Sequence, residues 1–240
     1  MSVLALFLAA VMAVIAWWLA QQRITTKPWL ETGPIGDAGA PSLPAAKIGL
    51  GVFLAVAGTL FALFFSAFMM RMNMPELNAP EWKPVPAPAI LWFNTGLLVF
   101  SSGALQWARA AARRRRVEGV KAGLVVGAGF ALAFLAGQLI AWQQLNAAGY
   151  YLTANPAAAF FYLITGIHGV HLLGGLAALG AAAEKAWQGI TAKEIQLRIE
   201  LCAIYWHFLL LVWLVFFGLL LFTDPSRPGS GLISFICGML

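Results

Sequence analysis

The sequence has little charge and almost no cysteine. Only 10% of its 240 residues are charged, 61% are hydrophobic, and the mean hydropathy is +0.82. Because about a quarter of a soluble globular domain is charged, this composition predicts an integral membrane protein with no sizeable water-soluble domain. The two cysteines, Cys202 and Cys237, show no CxxC spacing. They therefore indicate neither a disulfide framework nor a thiolate metal site.

Carboxylates are absent from the middle of every apolar segment. Ion and proton carriers usually place Asp, Glu or Lys at that depth, and their paired Gly and Pro helix breaks are missing as well. A stand-alone transporter is therefore disfavoured. Glu184 and Glu200 are predicted to lie at helix ends beside an inner loop, paired with Lys185 or Arg198. The net charge of +6 is typical of basic cytoplasmic loops and does not indicate a nucleic-acid partner.

Six apolar segments are long enough to cross a bilayer. They are residues 3–20, 47–70, 89–108 and 122–145, a segment that includes 160–175 and ends near 183, and residues 199–222. The first lacks the positive start and small-residue cleavage site of a signal peptide, so it is interpreted as a helix. All 15 lysines and arginines except Arg71, Lys83 and Arg227 fall in alternate loops, which predicts that both termini lie on the outer side.

Small and weakly polar residues in the third and fourth segments predict close helix packing. Residues 122–145 contain two rows of small residues at four-residue spacing: Gly123, Gly127 and Ala131, and Gly129, Ala133 and Gly137. The polar residues of 89–108 are Asn94, Thr95, Ser101, Ser102 and Gln106. Such side chains usually hydrogen-bond across helices, so they are interpreted as packing groups rather than as a chemical site.

Two of the three histidines, His168 and His171, lie one helical turn apart in the stretch FFYLITGIHGVHLLGG. This spacing can ligate a metal, and His207 on another helix could approach the pair. Three imidazoles are too few for a dihaem or a haem-copper centre, although a single haem needs only two. Imidazoles in hydrocarbon need partners, and the pattern favours hydrogen bonds to neighbouring helices or lipid head groups over a metal.

Several motifs follow one another along residues 47–222. They are the NT and SS pairs, a glutamine, TGxHGxH at 165–171, and Glu200 followed by YWHF at 205–208. Together they resemble subunit III of haem-copper (cytochrome c type) oxidases. The matching positions are Asn94, Thr95, Ser101, Ser102, Gln138, Thr165, Gly166, His168, Gly169, His171, Gly174, Gly175, Glu200, Tyr205, Trp206, His207, Phe208 and Trp213.

The sequence departs from the family pattern at three acidic positions. Ala57 and Leu210 stand where the family often has a glutamate and an aspartate, and Ala141-Trp142 replaces a Glu-Tyr pair. A proton relay through a mid-membrane carboxylate is therefore weakened. The family's usual two extra amino-terminal helices are reduced to one.

The resemblance implies an all-α bundle of six transmembrane helices, divided into residues 1–46 (an extra helix and inner loop), 47–222 (the subunit III-like bundle) and 223–240 (an outer tail). It implies a non-catalytic subunit in the cell's inner membrane, without a cofactor of its own, that binds phospholipid. Haem and copper are expected in its partners, catalytic subunit I and subunit II, which reduce O2, pump protons and take electrons from cytochrome c.

His168, His171, Glu200, Trp206 and His207 are expected to form one interhelical polar cluster that contacts lipid. Three alternatives stay open on the sequence alone. They are an accessory subunit of a quinol oxidase or nitric oxide reductase, a haem b or quinone-binding anchor of a respiratory dehydrogenase, and a small transporter.

Overall fold

The computed structural model describes residues 45–72, 84–188 and 192–223, and all regular secondary structure within these ranges is helical. The five helices are α1 (Ala45–Met72), α2 (Ile90–Arg113), α3 (Val117–Ala147), α4 (Pro156–Trp187) and α5 (Ala192–Thr223). The predicted all-α class is therefore confirmed. The five corresponding predicted segments all fall on these helices, but α5 begins seven residues before the predicted start at 199.

Four of the described helices, α1, α3, α4 and α5, are long and apolar enough to cross a membrane. α2 is not among them, because the polar residues predicted to pack against other helices lower its hydropathy. The count of six crossings and the outer position of both termini stay predictions. The predicted crossing at 3–20, the following loop up to residue 44, and the tail from residue 224 lie outside the described residues.

Helix starts and turns follow from local chemistry. Asn155 caps α4 by accepting a 2.9 Å hydrogen bond from the backbone N–H of Ala158, and Pro156 takes the first position of the helix, where a missing N–H costs nothing. Between α2 and α3, Arg115 adopts a positive φ of 55°, which lets the chain reverse within three residues. This tight turn places α2 and α3 side by side.

The closest helix pair is α2 with α3, and small residues make it close. A Cβ added at Gly123 would lie 2.7 Å from Ala108 Cβ and 3.0 Å from the carbonyl oxygen of Ala104. Gly127 lies against Leu105, and Ala131 is fully buried. The first predicted small-residue row is therefore confirmed as a contact face. In the second row the close approach is confirmed at Gly137, which lies against Asn94 on α2, whereas Gly129 faces open space among the described residues.

α1 is the peripheral helix of the described bundle. It packs against α4 and α5 but not along α2 or α3. Its inward side contributes Phe61 and Phe65, whose rings contact His171 and Phe216. Ala57, at the position where the family often has a glutamate, is buried on the same side. The core thus consists of α2 to α5, with α1 laid against one side.

Candidate functional site

Ser101 on α2 joins three helices at the centre of the bundle. Its hydroxyl donates a 2.7 Å hydrogen bond to the carbonyl oxygen of Gly127 on α3 and accepts one of 2.8 Å from the indole N–H of Trp206 on α5. Both side chains are buried. The predicted packing role of Ser101 is confirmed, and the tryptophan of YWHF is its partner.

A second interhelical bond lies two turns away along α2. Thr95 accepts a 3.0 Å hydrogen bond from the indole N–H of Trp213 and donates its own hydroxyl to the carbonyl oxygen of Leu91. Between α3 and α4, the indole N–H of Trp142 donates to Thr165 over 3.1 Å. Tryptophan donors therefore satisfy a hydroxyl acceptor at three helix contacts.

Asn94 and Gln138 form a weaker buried pair between α2 and α3. The Asn94 amide donates to Gln138 Oε1 over 3.5 Å, while Asn94 Oδ1 and Gln138 Nε2 have no protein partner. Gly137 makes room for them, since a Cβ there would lie 2.9 Å from Asn94 Cγ. Ser102 is also buried. The family's asparagine and glutamine positions therefore face each other inside the bundle.

His168 lies in the core, where it is 2% exposed. Its Nε2 lies 3.1 Å from the carbonyl oxygen of Leu209 on α5. Because a carbonyl can only accept, Nε2 carries the proton in this pairing, and Nδ1 is left without a partner. The rings of Phe134 and Trp213 pack around the imidazole with centroids 5.7 and 5.4 Å away. His168 therefore connects α4 to α5 and does not reach the surface of this chain.

The TGxHGxH helix meets the YWHF helix at Gly175 and His171. Tyr205 donates a 2.8 Å hydrogen bond to the backbone carbonyl of His171. A Cβ at Gly175 would lie 2.8 Å from both Tyr205 Cε1 and Trp206 Cζ3. The motif glycines Gly166 and Gly169 lie on the α3 side, at ordinary contact distance from Trp142 and Leu135. The TGxHGxH and YWHF motifs therefore pack directly against each other.

The structure separates His207 from the polar contacts of the other two histidines. His168 and His171 both contact the ring of Phe61, whereas His207 is exposed on α5 and hydrogen-bonds through Nδ1 to the carbonyl oxygen of Ala203 on its own helix. Within the described part of the chain His207 shares no hydrogen bond or ring contact with either histidine. A single polar cluster that includes His207 therefore stays a prediction.

Glu200 holds α1, α2 and α5 together. Its carboxylate lies 3.0 Å from Lys47 Nζ and 2.8 Å from Arg109 Nη2. The prediction that it pairs with Lys185 or Arg198 at a helix end was wrong, because α5 begins at Ala192 and Glu200 therefore lies two turns inside it.

Glu184, the other carboxylate considered, accepts a 2.9 Å hydrogen bond from Gln188 on its own helix. The sequence did carry a signal for the Glu200 triad. Lys47, Arg109 and Glu200 lie at ends of apolar segments that the loop charges assign to the same inner side. The loop charges place these three residues on the same side of the membrane, but they do not predict that the residues contact one another.

Replacing Trp206 by phenylalanine is expected to lower the free energy of unfolding by about 1–2 kcal/mol, because the indole donor to Ser101 and part of the ring volume are lost. The measurement is unfolding of the detergent-solubilised protein in rising SDS. Trp107→Phe on the exposed side of α2 is the matched control, with an expected change below about 0.5 kcal/mol. Equal effects of the two substitutions would contradict the role of the hydrogen bond.

Comparison with known proteins gives one consistent match. The family model for cytochrome c oxidase subunit III matches residues 1–223. "Cytochrome c oxidase subunit 3" of Thermostichus vulcanus is 31% identical over 176 residues, which are 72% of this chain and 85% of that protein. The protein of the same description from Synechocystis sp. is 28% identical over 183 residues, 76% of each chain.

A third relative carries a similar description. "Probable cytochrome c oxidase subunit 3" of Mycobacterium bovis is 29% identical over 167 residues, 68% of this chain and 78% of the relative. The range matched by the family model, residues 1–223, includes the signature motifs whose contacts are described above. The chain is an integral membrane protein that belongs to the cytochrome c oxidase subunit III family.

Proposed function

We propose that this chain is the non-catalytic subunit III of a proton-pumping haem-copper terminal oxidase, in the inner cell membrane, with cytochrome c as electron donor. In this proposal haem and copper lie in catalytic subunit I and in subunit II, and this chain stabilises subunit I. The main observation in support is that polar residues of the signature motifs hydrogen-bond to other helices. Ser101, Thr95 and His168 each hydrogen-bond another helix, so the motifs support a scaffold.

The names of the relatives support the same assignment, since two are described as cytochrome c oxidase subunit 3 and the third as a probable one. A scaffold subunit needs a firm bundle and an apolar outside. The described helices have both, because polar groups such as Ser101 and His168 are buried between helices. Large apolar residues point outward, among them Phe93, Phe100 and Leu132. Lipid tails or other transmembrane helices can cover such a surface.

Phospholipid binding is part of the proposal, and the Glu200 triad is its support. Lys47 and Arg109 contribute two positive charges against one carboxylate, and Arg109 Nε has no protein partner. An anionic head group at this inner end would compensate the remaining charge. Of the predicted lipid-contact residues, Glu200, His171 and His207 reach or approach the surface, whereas His168 and Trp206 are buried within the chain.

The proposal is tested by purifying the tagged chain from mildly solubilised native membranes. We expect catalytic subunit I to co-purify with it, with haem and copper in near-stoichiometric amount to that subunit. The separated chain is expected to show no haem absorption band. A copper-binding subunit that docks cytochrome c should be present as well.

Other outcomes of the same purification are informative. Recovery of a catalytic subunit without a copper-binding partner would favour a quinol oxidase or nitric oxide reductase. A haem band in the separated chain would favour a dehydrogenase anchor. Recovery without any haem-copper subunit would contradict the proposal, and substrate uptake by the chain alone in liposomes would replace it with a transporter.

A further inference from the structure

One face of α5 is left open by the described bundle. Ile204, Leu211 and Leu214 are 37%, 60% and 45% exposed, and His207 between them is exposed as well. Their spacing places these four residues on one side of the helix. We call Ile204, His207, Leu211 and Leu214 the α5 strip.

The α5 strip runs between α1 and α2. The residues next to His207 in sequence point to opposite sides, because each is turned about 100° from it. Phe208 points to α1, where a Cβ added at Gly58 would lie 3.7 Å from its ring, and Trp206 points to Ser101 on α2. Among the described helices α1 and α2 do not pack along each other. The strip is therefore the floor of a groove that these two helices flank.

The Glu200 triad closes one end of this groove. Glu200 precedes Ile204 by one turn on the same face, and it pairs with Lys47 of one flanking helix and with Arg109 of the other. The spacing of α1 and α2 at this end is thus fixed by an ion pair on each side. Whatever occupies the groove meets a preformed surface there.

His207 gives the groove a chemical requirement. It lies 12 residues after Ile195 and 16 before Thr223, the ends of the part of α5 that is long and apolar enough to cross a membrane. These separations are about 18 and 24 Å along the axis. Its Nδ1 faces the carbonyl oxygen of Ala203 and must carry the proton there. Nε2 is then an acceptor near mid-membrane on an exposed face, where an unpartnered polar atom is costly.

We infer that the α5 strip docks a transmembrane helix of the catalytic subunit that presents a hydrogen-bond donor to Nε2 of His207. This inference rests on the proposed function for the identity of the partner. A lipid tail carries no donor at this depth. The predicted crossing at residues 3–20 is also a poor match, because its side-chain donors, Trp17 and Trp18, lie at one end of it.

Site-directed photo-crosslinking in the native complex tests the location of the contact. A photoreactive residue is placed at Leu211 in the strip and, as a matched control, at Leu132 on the outer face of α3, which is 56% exposed. We expect position 211 to crosslink to a peptide of the catalytic subunit and position 132 to give at least tenfold less of that product. Crosslinks from 211 to lipid or to residues 1–44 would overturn the inference.

Substitution of His207 tests the chemistry. His207→Leu is expected to lower the fraction of this chain retained on the catalytic subunit in rising detergent by about three- to tenfold, since one interhelical hydrogen bond is lost. His207→Gln, which keeps an acceptor, is expected to restore most of it. If both variants were retained as strongly as the parent chain, His207 would not accept a hydrogen bond from the partner helix.

The two proposals fail differently. If the parent chain does not co-purify with a catalytic subunit, the proposed function itself is wrong. If it co-purifies but crosslinks through 132 and not through 211, the proposed function stands and the α5 strip is not the docking face.

Discussion

Replacing Glu200 by glutamine is expected to lower the free energy of unfolding by about 2–4 kcal/mol. The amide has nearly the same shape, so the loss is electrostatic. Lys47 and Arg109 would then face each other without a carboxylate, at positions where both cations are only partly exposed. Because Lys47 is on the peripheral helix α1, this helix is expected to separate first. The measurement is SDS-driven unfolding, with a label on α1 reporting its release.

The matched control is Glu184→Gln on α4. Glu184 contacts Gln188 on its own helix and holds no other helix in the described structure, so we expect a change below about 0.5 kcal/mol. A Lys47→Met substitution in both the parent and the Glu200→Gln background completes a double-mutant cycle. A coupling energy near zero, or equal effects of the two glutamine substitutions, would show that the triad does not hold α1 to the bundle.

The sequence predicted the helices well and the relations between them only in part. Long apolar segments and loop charges located the five described helices, since both depend on the bilayer thickness and on residue type. The start of α5 was missed because three of residues 192–198 are charged and the stretch falls outside an apolar window, although it belongs to the same helix. With the earlier start, Glu200 lies inside α5 and contacts two other helices, whereas the sequence had placed it at a helix end.

The candidate site shows the same limit at the level of single side chains. The spacing of His168 and His171 predicted that both lie on one side of the same helix. It did not indicate that His168 would face Leu209 or that His207 would face outward. Those directions depend on how α4 and α5 cross, which Gly175, Tyr205 and Trp206 determine through contact. Likewise, Thr95 and Ser101 of α2 were recognised as packing groups, while their indole partners followed only from the assembled bundle. Gln106, predicted to be another such group, is exposed on the described helix.

Replacing Gly123 by leucine is expected to cost about 3 kcal/mol, because the side chain would have to enter the closest contact between α2 and α3. Even a Cβ at this position meets Ala108 Cβ at 2.7 Å and a backbone oxygen at 3.0 Å. Backbone cannot move aside as a flexible side chain can, so the helices must separate. The expected result is a lower SDS midpoint of unfolding and weaker quenching between labels on α2 and α3.

Gly129→Leu on the same helix separates this steric effect from a change in helix propensity. Nothing lies within 4 Å of a Cβ added at Gly129, and glycine is a poor helix former, so this control is expected to be neutral or slightly stabilising. Separation of α2 from α3 would also break the bond from Ser101 to Gly127, and Trp206 would lose the orientation of its acceptor. Trp206→Phe should therefore lower the free energy of unfolding by less in the Gly123→Leu background than in the parent chain. Equal losses in the two backgrounds would show that the two contacts are not coupled.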